Sequence, residues 1–391
     1  MNTSNPSKED IFKLNSFISC CGIVAENGLF EDILEIATGE REKVEKRTGN
    51  VGINIIYGKE QGLGMRTVAP TDRVYSDEGF TFSSPIEIVK NDNDFFLSLE
   101  KKPITRVEII KAPSWYSQSL VRLGETVKLS SILQYELGVL MGTIPSLSGK
   151  QECVYTDASK CKFCGLEDKT KNLSPKDYAD VVKLAVEENP LIAVNLTAGN
   201  TPTKNRGIET YIPFVKAIRE VAPLISIEIE VSPPRDLSVI DDLVNVGLTS
   251  YMSNLEVFDE NTRKLVCPGK SKISLNEYVN AFVQAQKNGL PTYTVLIVGL
   301  EEPESTLKGV EFFAKNGITT LPLPFKPIKG AVYENRLPTS PKMFLDVSKE
   351  AISIMRTYGV NPMSRDKGSC SLCGGCSVEV NYDRNFGGNL K

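Results

Sequence analysis

The chain contains no histidine among its 391 residues, and this absence removes whole classes of chemistry. Zinc hydrolases with imidazole ligands, Ser-His-Asp hydrolases, Cys-His proteases and facial-triad iron enzymes all need a group that this sequence cannot supply in cis. Proton transfer falls to Asp, Glu, Lys, Tyr, Cys or a bound ligand. Long apolar runs are lacking as well: none reaches the length of a bilayer span, and the N-terminus MNTSNPSKEDIFKLN is too polar for a secretory signal. A cytoplasmic protein with no membrane partner is expected. There is no basic block, and the formal net charge is -4, which argues against a nucleic-acid backbone as the main partner. Internal repeats and low-complexity tracts are also missing. At 41% apolar and 24% charged residues, the chain has the composition of a soluble globular protein with room for two or three domains.

What the sequence does have is cysteine. The nine cysteines fall mostly in clusters with two-residue gaps, a usage that fits a reducing compartment and metal sites better than a disulfide framework. Cys153, Cys161 and Cys164 lie in the run CVYTDASKCKFC with C-x7-C-x2-C spacing. Two of these thiols share a tight turn and the third arrives from a strand end, which suits an iron-sulfur cluster with one position left open; three-quarters of a zinc site fits the same triplet. A second group, Cys370, Cys373 and Cys376, has C-x2-C-x2-C spacing, and Gly374 and Gly375 allow the backbone to fold around a metal and aim amides at sulfur. A second iron-sulfur cluster is the preferred reading there, ahead of zinc or an unmetallated tail. Cys267 is its best fourth ligand if all four ligands are cysteines, and otherwise an ordinary loop thiol. The adjacent pair Cys20 and Cys21 has the character of apolar filling.

From residue 173 onward, short β-branched runs alternate with amphipathic segments, the pattern of strand-helix units on a parallel sheet. Helices are expected within 172–190, with Ser174 as cap and Pro175 in the first turn, and at 208–221, 236–246, 274–288, 304–315 and 341–358. Strands are expected at 191–197, 224–231, 248–254, 292–298 and 319–325. Adding a short first strand just before Cys153 gives six units, which right-handed crossovers roll into an open barrel. Residues 1–150 differ: a helix near 29–47, β-rich stretches around 51–58, 80–89 and 104–111, and a helix at 126–141. The expected architecture is α/β, a partial (βα)6 TIM-type barrel (146–358) between an N-terminal α+β domain (1–145) and a short Cys-rich C-terminal extension (359–391). The stretch from Gly359 to Ser369 spans at most about 35 Å when extended, enough to bring the second thiol group back to the barrel mouth.

The CKFC turn, with Phe163 before the last cysteine, resembles the cluster loop of the radical S-adenosylmethionine (radical SAM) enzymes, although the first interval is four residues longer than the family's usual C-x3-C-x2-C. The strand ends extend the resemblance. Thr197, Gly199 and Asn200 stand where the family's GGE-like segment holds the methionyl amino group, without its acid. Glu228 and Glu230 share one face of the third strand, as carboxylates that meet ribose hydroxyls or the SAM ammonium would. SYMSNLEVFDENTRKLVCPGK, with Asn254 and Glu256, is similar to the biotin-synthase-like branch, and Ile297 and Gly299 fall in a GxIxGxxE-like segment beside adenine. The resemblance implies a [4Fe-4S] cluster on Cys153, Cys161 and Cys164, with SAM on its fourth iron. It further implies an electron donor such as ferredoxin or flavodoxin, and cleavage of SAM to a 5'-deoxyadenosyl radical that takes hydrogen from a small-molecule or cofactor-precursor substrate. Sulfur insertion and metallocofactor maturation both accommodate a second cluster, and methyl transfer is a further option. A non-catalytic zinc or iron-sulfur protein would need the thiols but not the strand ends. A scaffold role would instead have residues 1–150 bind a partner while the barrel stays inert; the expectation here is that this region shapes or caps the substrate site.

Overall fold

The computed structural model describes residues 5–26, 28–40, 52–70, 84–146, 150–166, 169–170, 172–328, 330–362 and 368–386. The chain folds as an α/β protein centred on a seven-stranded sheet. Six of its strands run parallel: β1 (Val139–Thr143), β2 (Ala193–Thr197), β3 (Ser226–Glu230), β4 (Ser250–Met252), β5 (Thr292–Val298) and β6 (Thr319–Pro324). Helices α1 (Pro175–Glu188), α2 (Tyr211–Val221), α3 (Ser238–Asn245), α4 (Leu275–Lys287), α5 (Pro303–Lys315) and α6 (Pro341–Thr357) follow in turn. This is the expected partial (βα)6 barrel. Outward residues such as Val194, Leu196, Ile227, Ile229, Tyr251 and Leu296 pack with the helices in the largest apolar core, which drives the layering through burial of apolar area.

Alternation along each strand sends the other residues inward. Register pairs Asn195 with Glu228 and Glu228 with Ser250, so a polar band crosses the inner face. Around it stand Met252, Tyr293, Val295 and Leu321.

The first barrel strand differs from expectation. It lies at 139–143, well upstream of Cys153, and the two residues before Cys153's neighbour Glu152 pair only with Lys169–Thr170. The expected helix at 126–141 is absent. In its place, Glu125–Lys128 pairs with Ser119–Arg122, and Gln134–Glu136 forms a hairpin with β1. Leu137 and Gly138 both have positive φ, 51° and 96°, a two-residue reversal that turns the chain back on itself and is incompatible with a continuing helix. The helix near 29–47 is Leu29–Thr38, stopped by Gly39 in the left-handed conformation; residues 41–47 lie outside the described residues.

The N-terminal region forms a six-stranded sheet with a helix at Lys8–Cys21 that the sequence reading did not foresee. Cys20 and Cys21 are buried in its core, which is continuous with Phe344, Leu345, Val347 and Ile352 of α6 and with Val378 and Tyr382 of a C-terminal helix, Val378–Phe386. That helix is tied to strand Met65–Pro70: Asn381 accepts from the Arg66 amide at 2.9 Å and donates to the Arg66 carbonyl at 2.6 Å.

Candidate functional site

The loop after β1 is held over the C-terminal ends of the strands by backbone hydrogen bonds to three other loops. Val154 donates to Asn200 after β2 (2.7 Å), Lys162 donates to Val266 after β4 (2.8 Å), and Tyr333 after β6 donates to Lys162 (2.8 Å). Cys153, Cys161 and Cys164 are therefore fixed, half-buried, at the mouth of the barrel. Gly199 makes this approach possible: a Cβ there would lie 2.1 Å from the Glu152 carbonyl oxygen and 2.8 Å from Cys153 Cα, so only glycine fits beneath the loop. Burial raises the Cys153 thiol and pushes Cys164 up to about 11. Metal binding at Cys153 and Cys164 therefore works against raised thiols and releases their protons.

Asn254 and Glu256 shape the exit of β4. Glu256 adopts a left-handed φ of 72°, which lets its amide donate to Val295 and its carbonyl accept from Ile297, both at 2.8 Å. Asn254 fills the rung left open: Oδ1 accepts from the Val295 amide at 3.2 Å, and Nδ2 reaches Glu230 Oε2 at 3.4 Å. The Glu256 carboxylate pairs with the largely covered Lys270 ammonium at 2.9 Å, and Lys270 also donates to the Asn254 carbonyl at 2.6 Å. Burial alone would depress the Lys270 ammonium, but Glu256 beside it more than offsets that and holds it well above its ordinary range.

Cys267 belongs to this site and not to the second thiol group. Its Sγ lies 3.8 Å from Glu256 Oε2, and the ligand atoms of Cys161, Glu256 and Cys267 lie mutually within 4.8 Å, the one such set among the described residues. The reason is local: helix Glu260–Val266, unforeseen in the sequence reading, ends at Cys267, whose amide caps it on Arg263. Phe163 and Ile297 join Val257, Val266, Leu300 and Phe325 in an apolar patch beside these thiols. Thr197 ends β2 with its carbonyl held by the Ile144 amide at 2.9 Å. Gly299 has φ 93°, and its missing side chain makes room for Thr339, whose Oγ1 would lie 2.5 Å from a Cβ there.

The second thiol group does not return to the mouth. Gly368 donates to Ser226 Oγ at the start of β3 (2.9 Å), and Cys373 packs with Leu137, Val139 and Ala193 at the starts of β1 and β2, so the segment enters the barrel from below. It reaches the polar band at mid-height. Glu228 Oε1 accepts from Asn195 Nδ2 (3.0 Å), Ser369 Oγ and the Cys370 amide (3.3 Å), while Oε2 accepts from Ser250 Oγ (2.6 Å). Glu228 thus lies below the mouth, whereas Glu230 stands between the two levels: Oε2 faces Asn254, and Oε1 lies 3.8 Å from Cys370 Sγ. The reversal at Gly374 (φ 65°) lets the Gly375 amide meet Cys373 Sγ at 3.3 Å and the Gly375 carbonyl accept from the Val68 amide of the N-terminal sheet. Burial drives the Cys370 thiol up, with Glu230 and Glu228 adding to it, and pushes Cys373 up to about 12.

Lys270 is the residue that sequence reading missed at the mouth; its only signal was the CPGK turn following the N-L-acid segment. No helix among the described residues is long and apolar enough to cross a membrane.

Residues 158–314 match the Radical SAM superfamily. Among curated proteins, the bacteriochlorophyllide c C-7(1)-hydroxylase of Chlorobaculum limnaeum is 26% identical over 194 residues, 47% of this chain and 48% of that protein. The match therefore spans about half the length of that relative. Among solved structures, methylornithine synthase aligns with a TM-score of 0.47 at 17% identity, covering 64% of this chain and 71% of that one. The FeFe-hydrogenase maturase HydG of Carboxydothermus hydrogenoformans aligns at 0.45 and 16%, covering 64% and 59%. The thiol loop is seated over the strand ends of a six-unit open barrel, and the stretch that matches the Radical SAM superfamily, residues 158–314, takes in Cys161, Cys164 and strands β2 to β5 of that barrel.

Proposed function

We propose that this enzyme removes hydrogen from a small-molecule or cofactor-precursor substrate lodged in the barrel between two iron-sulfur clusters, one on Cys153, Cys161 and Cys164 and the other on Cys370, Cys373 and Cys376. The observation that carries this reading is Glu230, whose two oxygens face Asn254 at the mouth and Cys370 from below; both thiol groups open on one interior. When bound, a [4Fe-4S] cluster and SAM supply reductive cleavage of the sulfonium and a 5'-deoxyadenosyl radical.

The residues at the mouth fit those groups. Three half-buried thiols stand in one loop that offers no fourth cysteine, and Gly199, bare of a side chain, lets that loop sit directly on the end of β2. Thr197, Gly199 and Asn200 line the approach for the methionyl end of SAM, Asn254 and Glu256 with Lys270 offer polar contacts to its carboxylate and ribose, and Phe163 and Ile297 give an apolar wall for adenine. The apolar inner face of β5 and β6 excludes water and competing hydrogen donors from the reacting centre. The second cluster, beside the substrate, suits sulfur insertion or metallocofactor maturation in the manner of the biotin-synthase-like branch. A cytoplasmic electron donor of the ferredoxin or flavodoxin kind would serve the reduction.

Anaerobic reconstitution with iron and sulfide, followed by assay of 5'-deoxyadenosine with reductant, tests the reading. Cys153→Ala is expected to abolish SAM cleavage, whereas Cys373→Ala spares cleavage and impairs conversion of substrate. Zinc alone at the first thiols, or no deoxyadenosine under any reducing condition, overturns it.

A further inference from the structure

The stretch that carries Cys161 and the stretch that carries Cys267 run side by side in opposite directions. Lys162 donates to the Val266 carbonyl at 2.8 Å, and Gly269 donates to the Ser159 carbonyl at 3.0 Å. Both bonds belong to one antiparallel register, in which Cys161 stands opposite Cys267. A carboxylate completes the group: Glu256 Oε2 lies 3.8 Å from Cys267 Sγ, while Lys270 holds Oε1 at 2.9 Å. None of the three is free to drift. The Glu256 backbone is pinned by Val295 and Ile297, and Cys267 is held through its amide by Arg263 and through its carbonyl by the Ser271 amide at 2.8 Å.

This spacing is that of ligands on a single ion. Bonds of about 2.3 Å to sulfur and about 2.1 Å to a carboxylate oxygen, at a tetrahedral angle, put the two ligand atoms about 3.6 Å apart. Cys267 and Glu256 stand at 3.8 Å, and all three ligand atoms lie mutually within 4.8 Å. A [4Fe-4S] cluster instead holds each thiolate on a different iron, which sets its ligands farther apart than this. Two thiolates and a carboxylate form a zinc donor set with the fourth position open to water. Lys270 offsets one of the three negative charges and a divalent ion offsets the other two, the balance that a covered site requires. The same ammonium fixes the ligating carboxylate from behind.

We infer that Cys161, Cys267 and Glu256 form a site for a single zinc ion, and that an ion held there withdraws Cys161 from the cluster loop. The second half rests on the proposed reading of Cys153, Cys161 and Cys164 as cluster ligands. Zinc binds as the two thiol protons leave to solvent, and no electron is exchanged. Cys161 is thus shared between two mutually exclusive metal states, and excess zinc diverts the loop from its cluster.

The zinc site is tested in the full chain with Cys153, Cys164, Cys370, Cys373 and Cys376 all changed to Ala, where neither cluster can form. Under anaerobic, reducing conditions it is expected to bind about one zinc, and cobalt(II) in its place should give a tetrahedral spectrum with thiolate charge-transfer bands. Cys267→Ala should weaken zinc binding by at least about tenfold. Glu256→Cys should raise the charge-transfer intensity by about half, through a third thiolate, a gain that misfolding cannot produce. No zinc bound by the five-alanine chain, or a cobalt spectrum that both substitutions leave unchanged, overturns the site. Exclusion is tested with only Cys370, Cys373 and Cys376 changed to Ala, by counting iron after reconstitution with iron and sulfide. Added zinc should lower that iron, and Cys267→Ala should remove much of the sensitivity; equal sensitivity with and without Cys267 overturns the exclusion. Failure to load iron even without zinc is a different result, which overturns the cluster reading and leaves the zinc site to stand or fall on its own spectrum.

Discussion

Cys153, Cys161 and Cys164 stand in a surface loop whose Val154 is 41% exposed, with the Lys270 ammonium close by. Cys370, Cys373 and Cys376 are embedded between buried neighbours, Ser369, Ser371, Gly374 and Ser377, with Glu228 and Glu230 against Cys370. The same ligand chemistry is thus set in two opposite fields. The upper group has a cation at its edge, and the lower one has carboxylates against it. Difference in surroundings, more than in spacing, separates two similar cysteine motifs; on the proposed function, the first suits a charged cosubstrate that arrives and leaves and the second a group that is retained.

Four changes would break or sharpen that contrast. Lys270→Met should have the largest effect, because it leaves Glu256 as a buried unpaired carboxylate at a cost of about 3–5 kcal/mol. Urea unfolding measures it, and adding Glu256→Gln should recover part of the loss. Since the folded-state ammonium is held above its ordinary range, the stabilisation is fully present at neutral pH and is lost only as pH rises through that elevated value. Gly199→Ala forces the Cys153 loop off the end of β2 at a cost of up to about 3 kcal/mol. Iron at the first thiols should fall while iron at the second, counted in a Cys153, Cys161, Cys164 triple-Ala background, stays level.

Asn381→Ala acts on the other side. It strips the Arg66 amide and carbonyl and the Gly374 carbonyl of a buried partner, costing about 2 kcal/mol, and iron loading should drop at the second site alone. The smallest effect is kinetic: a water-soluble iron chelator should strip the first site faster than the second by roughly tenfold, about 1.4 kcal/mol in barrier. Equal rates would erase the distinction between open and enclosed sites.

The alternation of strand and helix from 173 onward was legible because each outward residue reports the same buried layer at a fixed period. The first strand was not. Its run VLMGT follows a reversal at Leu137–Gly138, and the residues before it, ETVKLSSILQYE, space their apolar side chains closely enough to mimic a helix. The two thiol groups stand out in the spacing, but their neighbours depend on contacts made across long stretches of chain. Cys267, expected to serve the second group or to be an ordinary loop thiol, is instead fixed at the mouth by helix Glu260–Val266. Glu230 and Cys370, 140 residues apart, carry no mutual signature in the sequence. Likewise, the packing of the N-terminal region, expected to shape or cap the substrate site, against α6 and the C-terminal helix has no signature in the sequence; there it braces the segment that enters the barrel from below.

The bonds between Arg66 and Asn381 join positions 315 residues apart. Closing so large a ring is slow compared with forming the strand-helix units between them, so the barrel is built before its floor is fitted. On the proposed reading of the second thiol group, iron and sulfide would reach it before that floor is fitted or when it reopens, so its loading would be a matter of timing.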